Sequence, residues 1–362
     1  MSRGPVLIMA GGTGGHVYPA LAIARALERR TVEVIWLGTR RGLEAGIVPQ
    51  AGIPIEWISV RGLRRTAVLA LVLAPFQLGL ALLQSLGVML RHRPAAVLGM
   101  GGFVSGPGGV AAWLTRRPLI IHEQNAVAGL TNRLLARVAR VVLEAFPGSF
   151  SPWRGARTVG NPVRDDIGGI EDPATRLADR QGRLRLLVLG GSQGSLKLNE
   201  IVPAALARLP RDSRPIVRHQ AGTRTIAIAR EAYERHGLEV ELEPFIDDMA
   251  AAYVWADLVI CRAGALTVSE LAAAGLPAIF VPFAAAVDDH QTANARPMAE
   301  TGAAAIIGES ALTAERLAAV LSDWLSSREA LRRRAIDARR LSKPHAVEEI
   351  TDLCLAVAGA RP

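Results

Sequence analysis

The chain has 362 residues, 50% hydrophobic and 21% charged, a balance that excludes a disordered or fibrous protein and leaves room for two or three domains. Lys+Arg 42 against Asp+Glu 33 gives a formal charge of +9, which favours anionic partners, while 4% aromatic content argues against a single-stranded nucleic-acid groove with its stacking platforms. Cys261 and Cys354 form neither a CxxC nor a zinc spacing, which suits a reducing compartment.

Short apolar runs alternate with helical patterns, the signature of βα units on parallel sheets. Val6–Ala10 is too short for a signal-peptide core and reads as a first strand. It meets Gly11-Gly12-Thr13-Gly14-Gly15-His16, then a helix over about 18–30 and a strand at 32–37. From Ala67 to Leu90 there are 24 residues without a charge, flanked by Arg61, Arg64, Arg65, Arg91 and Arg93. A membrane span, a core helix and a membrane-surface patch all fit that stretch. A strand at 96–100 leads into a second glycine-rich turn and a helix from about Val110, followed by a strand at 119–122 and a helix over 130–140. Around 147–169 the periodicity fails and a linker is expected.

A second series opens at Leu184 with a strand, the turn Gly190-Gly191-Ser192-Gln193-Gly194-Ser195 and a helix over 196–209. Strands follow at 216–220, 240–242, 258–261, 278–281 and 304–307, with helices at 266–274 and 291–300 among them. Both halves thus begin strand, glycine turn, helix, and two Rossmann-like domains in tandem are expected. The final helix packs back on the first domain or stands apart; periodicity leaves this open.

The first glycine turn lets backbone approach a ligand while the following helix aims its positive end at an anion. Val17 breaks the GxGxxG fingerprint and no acid follows Leu37-Gly38-Thr39, so a nicotinamide enzyme is disfavoured. His16, at the mouth of that turn, is a candidate general base. The segment 190–194 matches both the GxSxG nucleophile elbow, with Asp288 or Asp289 and His345 as partners, and a phosphate cradle built on Ser192. Neither lysine follows a glycine, which excludes a Walker A loop. Glu270 fits a ribose diol, or a capping box with Thr267 as N-cap. Asp288, Asp289, His290, Gln291 and Asn294 suit sugar hydroxyls; without DxD or HxH, a dedicated metal site is not expected.

Taken together, GGTGGHVYPALA (11–22), GMGGFVSGPGG (99–109), HEQNAVAGLTN (122–132), GNPVR (160–164), GGSQG (190–194), FIDDMAAAY (245–253), CRAGALTVSE (261–270) and DDHQTANA (288–295) resemble the MurG family of bacterial cell-wall glycosyltransferases. The resemblance covers nearly the whole chain. It implies an α/β fold of glycosyltransferase B type, two Rossmann-like domains facing a cleft, with 1–163 as the acceptor and membrane-side domain, 164–343 as the UDP-sugar domain and the helix 345–358 returning to the first. It implies inverting transfer of N-acetylglucosamine from UDP-N-acetylglucosamine to lipid I, giving lipid II in peptidoglycan synthesis, with no cofactor and no required metal. Position by position, Thr13, Gly14, Gly15, Asn125, Arg164, Ser192, Ile246, Ala265, Leu266, Thr267, Val268, Ser269, Glu270 and Gln291 would contact the donor: Ser192 and Arg164 the diphosphate, Ile246 the uracil, Glu270 the ribose, Gln291 the sugar. His16 would be the base for the acceptor hydroxyl. Relatives commonly carry histidine where this chain has Ala285. The resemblance also makes 67–90 and its arginines a patch on an anionic membrane, so that the enzyme works peripherally at the cytoplasmic face; nucleic acid is not an expected partner. A UDP-sugar epimerase, a serine hydrolase and a non-catalytic sugar-nucleotide binder are the competing readings.

Overall fold

In the computed structural model, residues 4–60, 68–191, 194–283 and 289–359 are described, residues 68–73 as backbone alone. Arg61, Arg64, Arg65, Ser192, Ala285 and Asp288 lie outside the described residues. The chain divides into two compact units, one of Met1–Arg164 with Lys343–Pro362, the other of Asp165–Ser342.

The first unit runs β1 (Val6–Met9), α1 (Gly14–Arg29), β2 (Val34–Gly38), α2 (Glu44–Gln50), β3 (Ile55–Trp57), α3 (Val68–His92), β4 (Ala96–Gly99), α4 (Ser105–Leu114), β5 (Leu119–Glu123), α5 (Leu130–Leu135), β6 (Val141–Glu144) and β7 (Arg157–Thr158). Its sheet has the order β3-β2-β1-β4-β5-β6-β7, every pair parallel. The second unit runs α6 (Asp165–Gly168), α7 (Pro173–Arg176), β8 (Arg185–Leu189), α8 (Leu196–Arg208), β9 (Ile216–Gln220), α9 (Ile226–Arg235), β10 (Glu241–Glu243), α10 (Met249–Trp255), β11 (Leu258–Cys261), α11 (Ala265–Ala274), β12 (Ala278–Phe280), α12 (His290–Glu300), β13 (Ala304–Ile306), α13 (Ala314–Leu325) and α14 (Arg328–Arg340). Its parallel sheet has the order β10-β9-β8-β11-β12-β13. The last helix, α15 (Ala346–Gly359), belongs to the first unit.

Central strands buried on both faces read as continuous apolar runs, as in the fully buried VLIM of β1. One face of the first sheet is covered by α1 and α15. Val347, Ile350, Cys354 and Val357 recur at helical spacing along α15 and join Val17, Ala20, Ala24 and Leu27 of α1 in one core. The other face is covered by α3, α4 and α5, through Ala81, Val88, Met89, Ala111, Ala112 and Leu135. Helix α3 is a single 25-residue helix through Pro75. Two of its polar side chains tie it to the segment at and after β3: Gln84 Oε1 accepts from Ser59 N at 2.7 Å and Arg91 donates to Glu56 at 3.0 Å. Among the described residues no helix is long and apolar enough to cross a membrane.

Two edge strands, β3 with three residues and β7 with two, fall where no strand is expected from periodicity. Runs that short carry no alternation to read. In each unit the strand order reverses beside the first strand, between β1 and β4 and between β8 and β11. Ligands of open α/β sheets gather at the carboxyl edge at such switch points. Glycine-rich turns follow β1, β4 and β8, and the short connection through Gly264 follows β11.

Candidate functional site

In the first unit β1 ends at Met9, and Gly11 to Thr13 turn the chain into α1, so that Gly14, Gly15 and His16 form its opening turn. Thr13 is the extended N-cap, and its side chain makes no capping hydrogen bond. The amides of a helix's opening turn have no intrahelical acceptor, which makes this end an anion site. The turn is braced from below by Glu44, a fully buried carboxylate accepting from Gly12 N at 2.9 Å, Thr39 N at 3.0 Å and Thr39 Oγ1 at 2.7 Å. A Cβ on Gly11 would lie 2.6 Å from Glu44 Oε1. The second glycine turn closes on the first. A Cβ on Gly102, at φ +80°, would lie 2.2 Å from Gly11 O.

His16 reaches back to the loop after β5, where its Nδ1 lies 3.1 Å from Gln124 Oε1. Gln124 Nε2 in turn donates to Met100 O at 2.8 Å and lies 3.1 Å from His122 Nδ1, while His122 Nε2 is 2.9 Å from Gly160 O. Burial pushes the His122 imidazole down to about 4. Beside it the buried Glu123 accepts from Asn125 N, Asn125 Nδ2, Gly129 N and Asn132 Nδ2 at 2.9–3.0 Å, which fixes the half-buried Asn125. Arg164, half-buried, is the last residue of the first unit before the chain crosses over.

In the second unit Gly191 and Gly194, at φ +80° and +76°, wrap the turn between β8 and α8. The backbone of Gly191 pairs with the Gln220 amide, donating to Oε1 and accepting from Nε2 at 3.2 Å each. Helix α11 begins at Ala265 with Gly264 as its N-cap, so Thr267 is the third residue of the helix. This overturns the capping-box reading: the helix starts two residues before Thr267, with its N-cap three before, and Glu270 sits in the second turn. Glu270 is 8% exposed, and its Oε2 accepts from the buried Tyr253 hydroxyl at 3.0 Å. Leu266, Thr267 and Ser269 are half-buried, Ala265 and Val268 buried, and Ser269 Oγ donates to Ala265 O at 3.0 Å. Ile246 is 2% exposed, just after β10. Gln291, in the first turn of α12, accepts from Phe283 N at 2.9 Å.

Residues that the sequence reading did not single out also build the site, beyond His122, Glu123 and Tyr253 above. Glu44 and Gln124 act through partners 32 and 108 positions away. Arg262 donates to Val281 O at 3.1 Å, to Ser195 Oγ at 3.0 Å and to Glu309, tying the start of α8 to the ends of β12 and β13. Its place directly after a strand, two residues before Gly264, was the only signal. An open groove of about 720 Å³ in this unit is lined by Asp166, Glu171, Asp247 and Asp248, whose carboxylates would repel a diphosphate. Among the described residues no three His, Cys, Asp or Glu side chains are grouped to hold a metal ion.

Residues 6–144 match the glycosyltransferase family 28 N-terminal domain, and residues 185–350 match the family's C-terminal domain. A protein of Alkalilimnicola ehrlichii is 61% identical over 97% of this chain and 98% of its own length. One of Nitrosococcus oceani is 55% identical over 98% of each. Both bear the name UDP-N-acetylglucosamine–N-acetylmuramyl-(pentapeptide) pyrophosphoryl-undecaprenol N-acetylglucosamine transferase. The crystal structure of Acinetobacter baumannii MurG superposes with a TM-score of 0.84 at 41% identity, covering 98% of this chain and 99% of that one.

Proposed function

The chain belongs to glycosyltransferase family 28, and from that premise we propose how its residues divide the work of sugar transfer. It is a glycosyltransferase of B-type fold that moves N-acetylglucosamine from UDP-N-acetylglucosamine to the muramoyl sugar of lipid I, producing lipid II. The observation that carries this activity is 61% identity across 97% of the chain to a transferase of that name.

His16 accepts the proton of the acceptor hydroxyl as its oxygen attacks the anomeric carbon, and the bond to UDP breaks with its electron pair on the diphosphate. The attack comes from the face opposite the leaving group and inverts the centre. The first-turn amides of Gly14 and Gly15, with Thr13, meet negative charge at the positive end of α1. Ser192 and Arg164 serve the diphosphate, and Asn125, held by Glu123, offers its amide to the donor. Glu270, oriented by Tyr253, accepts from the ribose hydroxyls. The buried side chain of Ile246 leaves its backbone to read the uracil. With Gln291 Oε1 committed to Phe283 N, its Nε2 donates to the sugar. Ala265 to Ser269 supply the opening turns of α11 against the nucleotide.

The acceptor's undecaprenol tail calls for a membrane-facing surface. Helices α3 and α4 expose Phe76 (77%), Leu83 (67%), Leu90 (66%) and Trp113 (54%), beside the exposed Arg91, Arg93 and Arg116. Apolar side chains rimmed by arginine suit shallow insertion into an anionic leaflet, so we place the enzyme peripherally on the cytoplasmic face.

The test is UDP release from UDP-N-acetylglucosamine with and without a lipid I analogue. Release that depends on the analogue, with a disaccharide product, is expected. Turnover of the donor to an epimer without any acceptor would overturn the assignment.

A further inference from the structure

The polar chain behind His16 has a direction. His122 Nε2 faces the Gly160 carbonyl at 2.9 Å, an oxygen that can only accept, so Nε2 carries a proton. His122 is fully buried and so holds one proton only, which leaves its Nδ1 as a lone pair. The Gln124 amide has one orientation compatible with its surroundings. Its Nε2 supplies two hydrogens, one to Met100 O at 2.8 Å and one to His122 Nδ1 at 3.1 Å. Reversing the amide would set oxygen against the Met100 carbonyl. The Gln124 backbone is itself pinned, its carbonyl accepting from Asn161 Nδ2 at 3.0 Å. Gln124 Oε1 therefore faces His16 Nδ1, at 3.1 Å, as an acceptor.

We propose that Gln124 and His122 are positioning residues for the transfer reaction: a relay starting at the Gly160 carbonyl fixes His16 as the Nδ1–H tautomer and leaves Nε2 as the basic nitrogen. The proposal rests on the reading of His16 as the base. The direction of a histidine's lone pair is set by what its other nitrogen donates to. With a neutral amide as the orienting group, the ring is held without a second negative charge near a site that must accept a diphosphate. Gly101 belongs to the same device. At φ +93°, a Cβ there would lie 2.7 Å from His16 Nδ1 and 3.3 Å from Gln124 Oε1, so any side chain would displace the ring from its partner. In the reaction Nε2 gains the proton from the acceptor hydroxyl, Nδ1 keeps its own, and the hydrogen bond to Oε1 becomes a charge-assisted one.

The experiment is ¹⁵N NMR of the full chain labelled at histidine, at pH 7.5, with His16 assigned by the signal lost in His16→Gln. We expect a protonated Nδ1 and an unprotonated Nε2. Gln124→Met, which keeps length and removes both hydrogen-bonding groups, is expected to move His16 to the other tautomer or a mixture. It should lower kcat by about 10²-fold with donor KM within about twofold. An Nε2–H tautomer in the unaltered protein would overturn the proposal whatever the variant does. So would a Gln124→Met protein whose kcat stays within about twofold. Full kcat in His16→Gln would instead overturn the base reading, and the nitrogen shifts distinguish the two failures.

Discussion

His16 Nδ1 and Gln124 Oε1 stand 3.1 Å apart although 108 residues separate them in the chain. Parallel pairing of β1 with β4 and of β4 with β5 brings their two loops to one edge of the sheet. For His16→Ala we expect kcat to fall by about 10²–10⁴-fold, the usual worth of a positioned general base. Donor KM should change little, because the opening-turn amides of α1 remain. A raised donor KM with kcat within a few-fold would show that the ring only shapes the turn.

Glu270 is buried, so its alanine variant would mix lost binding with lost stability; Glu270→Gln separates them. Replacing the carboxylate removes charged hydrogen bonds of roughly 1.5–3 kcal/mol and should weaken UDP-N-acetylglucosamine binding about 10–150-fold. Tyr253→Phe deletes the 3.0 Å hydrogen bond behind it and should cost about 1 kcal/mol of stability with a smaller change in binding. Calorimetric titration of both variants is the check. Equal donor affinity in Glu270→Gln would make the residue part of the fold alone.

Acid should weaken each unit separately. Burial lowers His122 to about 4 in the first unit and His219, beside Tyr233, to about 3 in the second. The unfolded chain takes up these protons below about pH 6.5, whereas the folded units do not until their own lower values are reached. Stability is therefore full above about pH 6.5, falls as the pH drops below it, and levels out below the folded values. The loss is on the order of 2 kcal/mol per histidine at pH 5. Denaturant titrations at pH 7.5, 6 and 5 measure it, and His219→Gln should flatten the response of the second unit. An unchanged midpoint from pH 7.5 to 5 would contradict the assignment.

Vesicle binding should need anionic lipid and weaken with salt, through Arg91, Arg93 and Arg116. Phe76→Ser with Trp113→Ser should reduce it by about tenfold or more, since each side chain loses transfer free energy of up to roughly 1.5–3 kcal/mol. Sedimentation with phosphatidylglycerol vesicles against phosphatidylcholine is the measurement. Equal binding to both would remove the arginines from the argument, and an unaffected double variant would remove the aromatic pair.

The glycine turns were legible because a steric need leaves a mark on the residue itself. Gly102 tolerates no Cβ against Gly11 O, and Gly194 none against Thr225 Oγ1, at 2.2 and 2.0 Å. The central strands were legible for a similar reason, since burial on both faces demands an unbroken apolar run. What stayed hidden depends on distant partners. Nothing local marks Glu44, an acid at a helix start, as the brace of a turn 32 residues earlier. Gln124 looks like any polar loop residue until β4 and β5 are paired. The Thr267–Glu270 pattern misled because the cap motif is the same whether or not the helix has already begun; the extended backbone of Gly264, at φ −64° and ψ 140°, moves the start upstream.

Helix α15 has a consequence for how the protein is made. Val347, Ile350, Cys354 and Val357 complete a core whose other side, α1 and β1, leaves the ribosome first. Residues 165–342 form a continuous unit and are delivered whole before α15 exists. At about 5–20 residues per second, the seat of α15 waits on the order of ten seconds or more for its helix. The second unit thus has its whole chain before the first does, and the apolar face of α1 and the sheet stays without its cover until residues 346–359 are made.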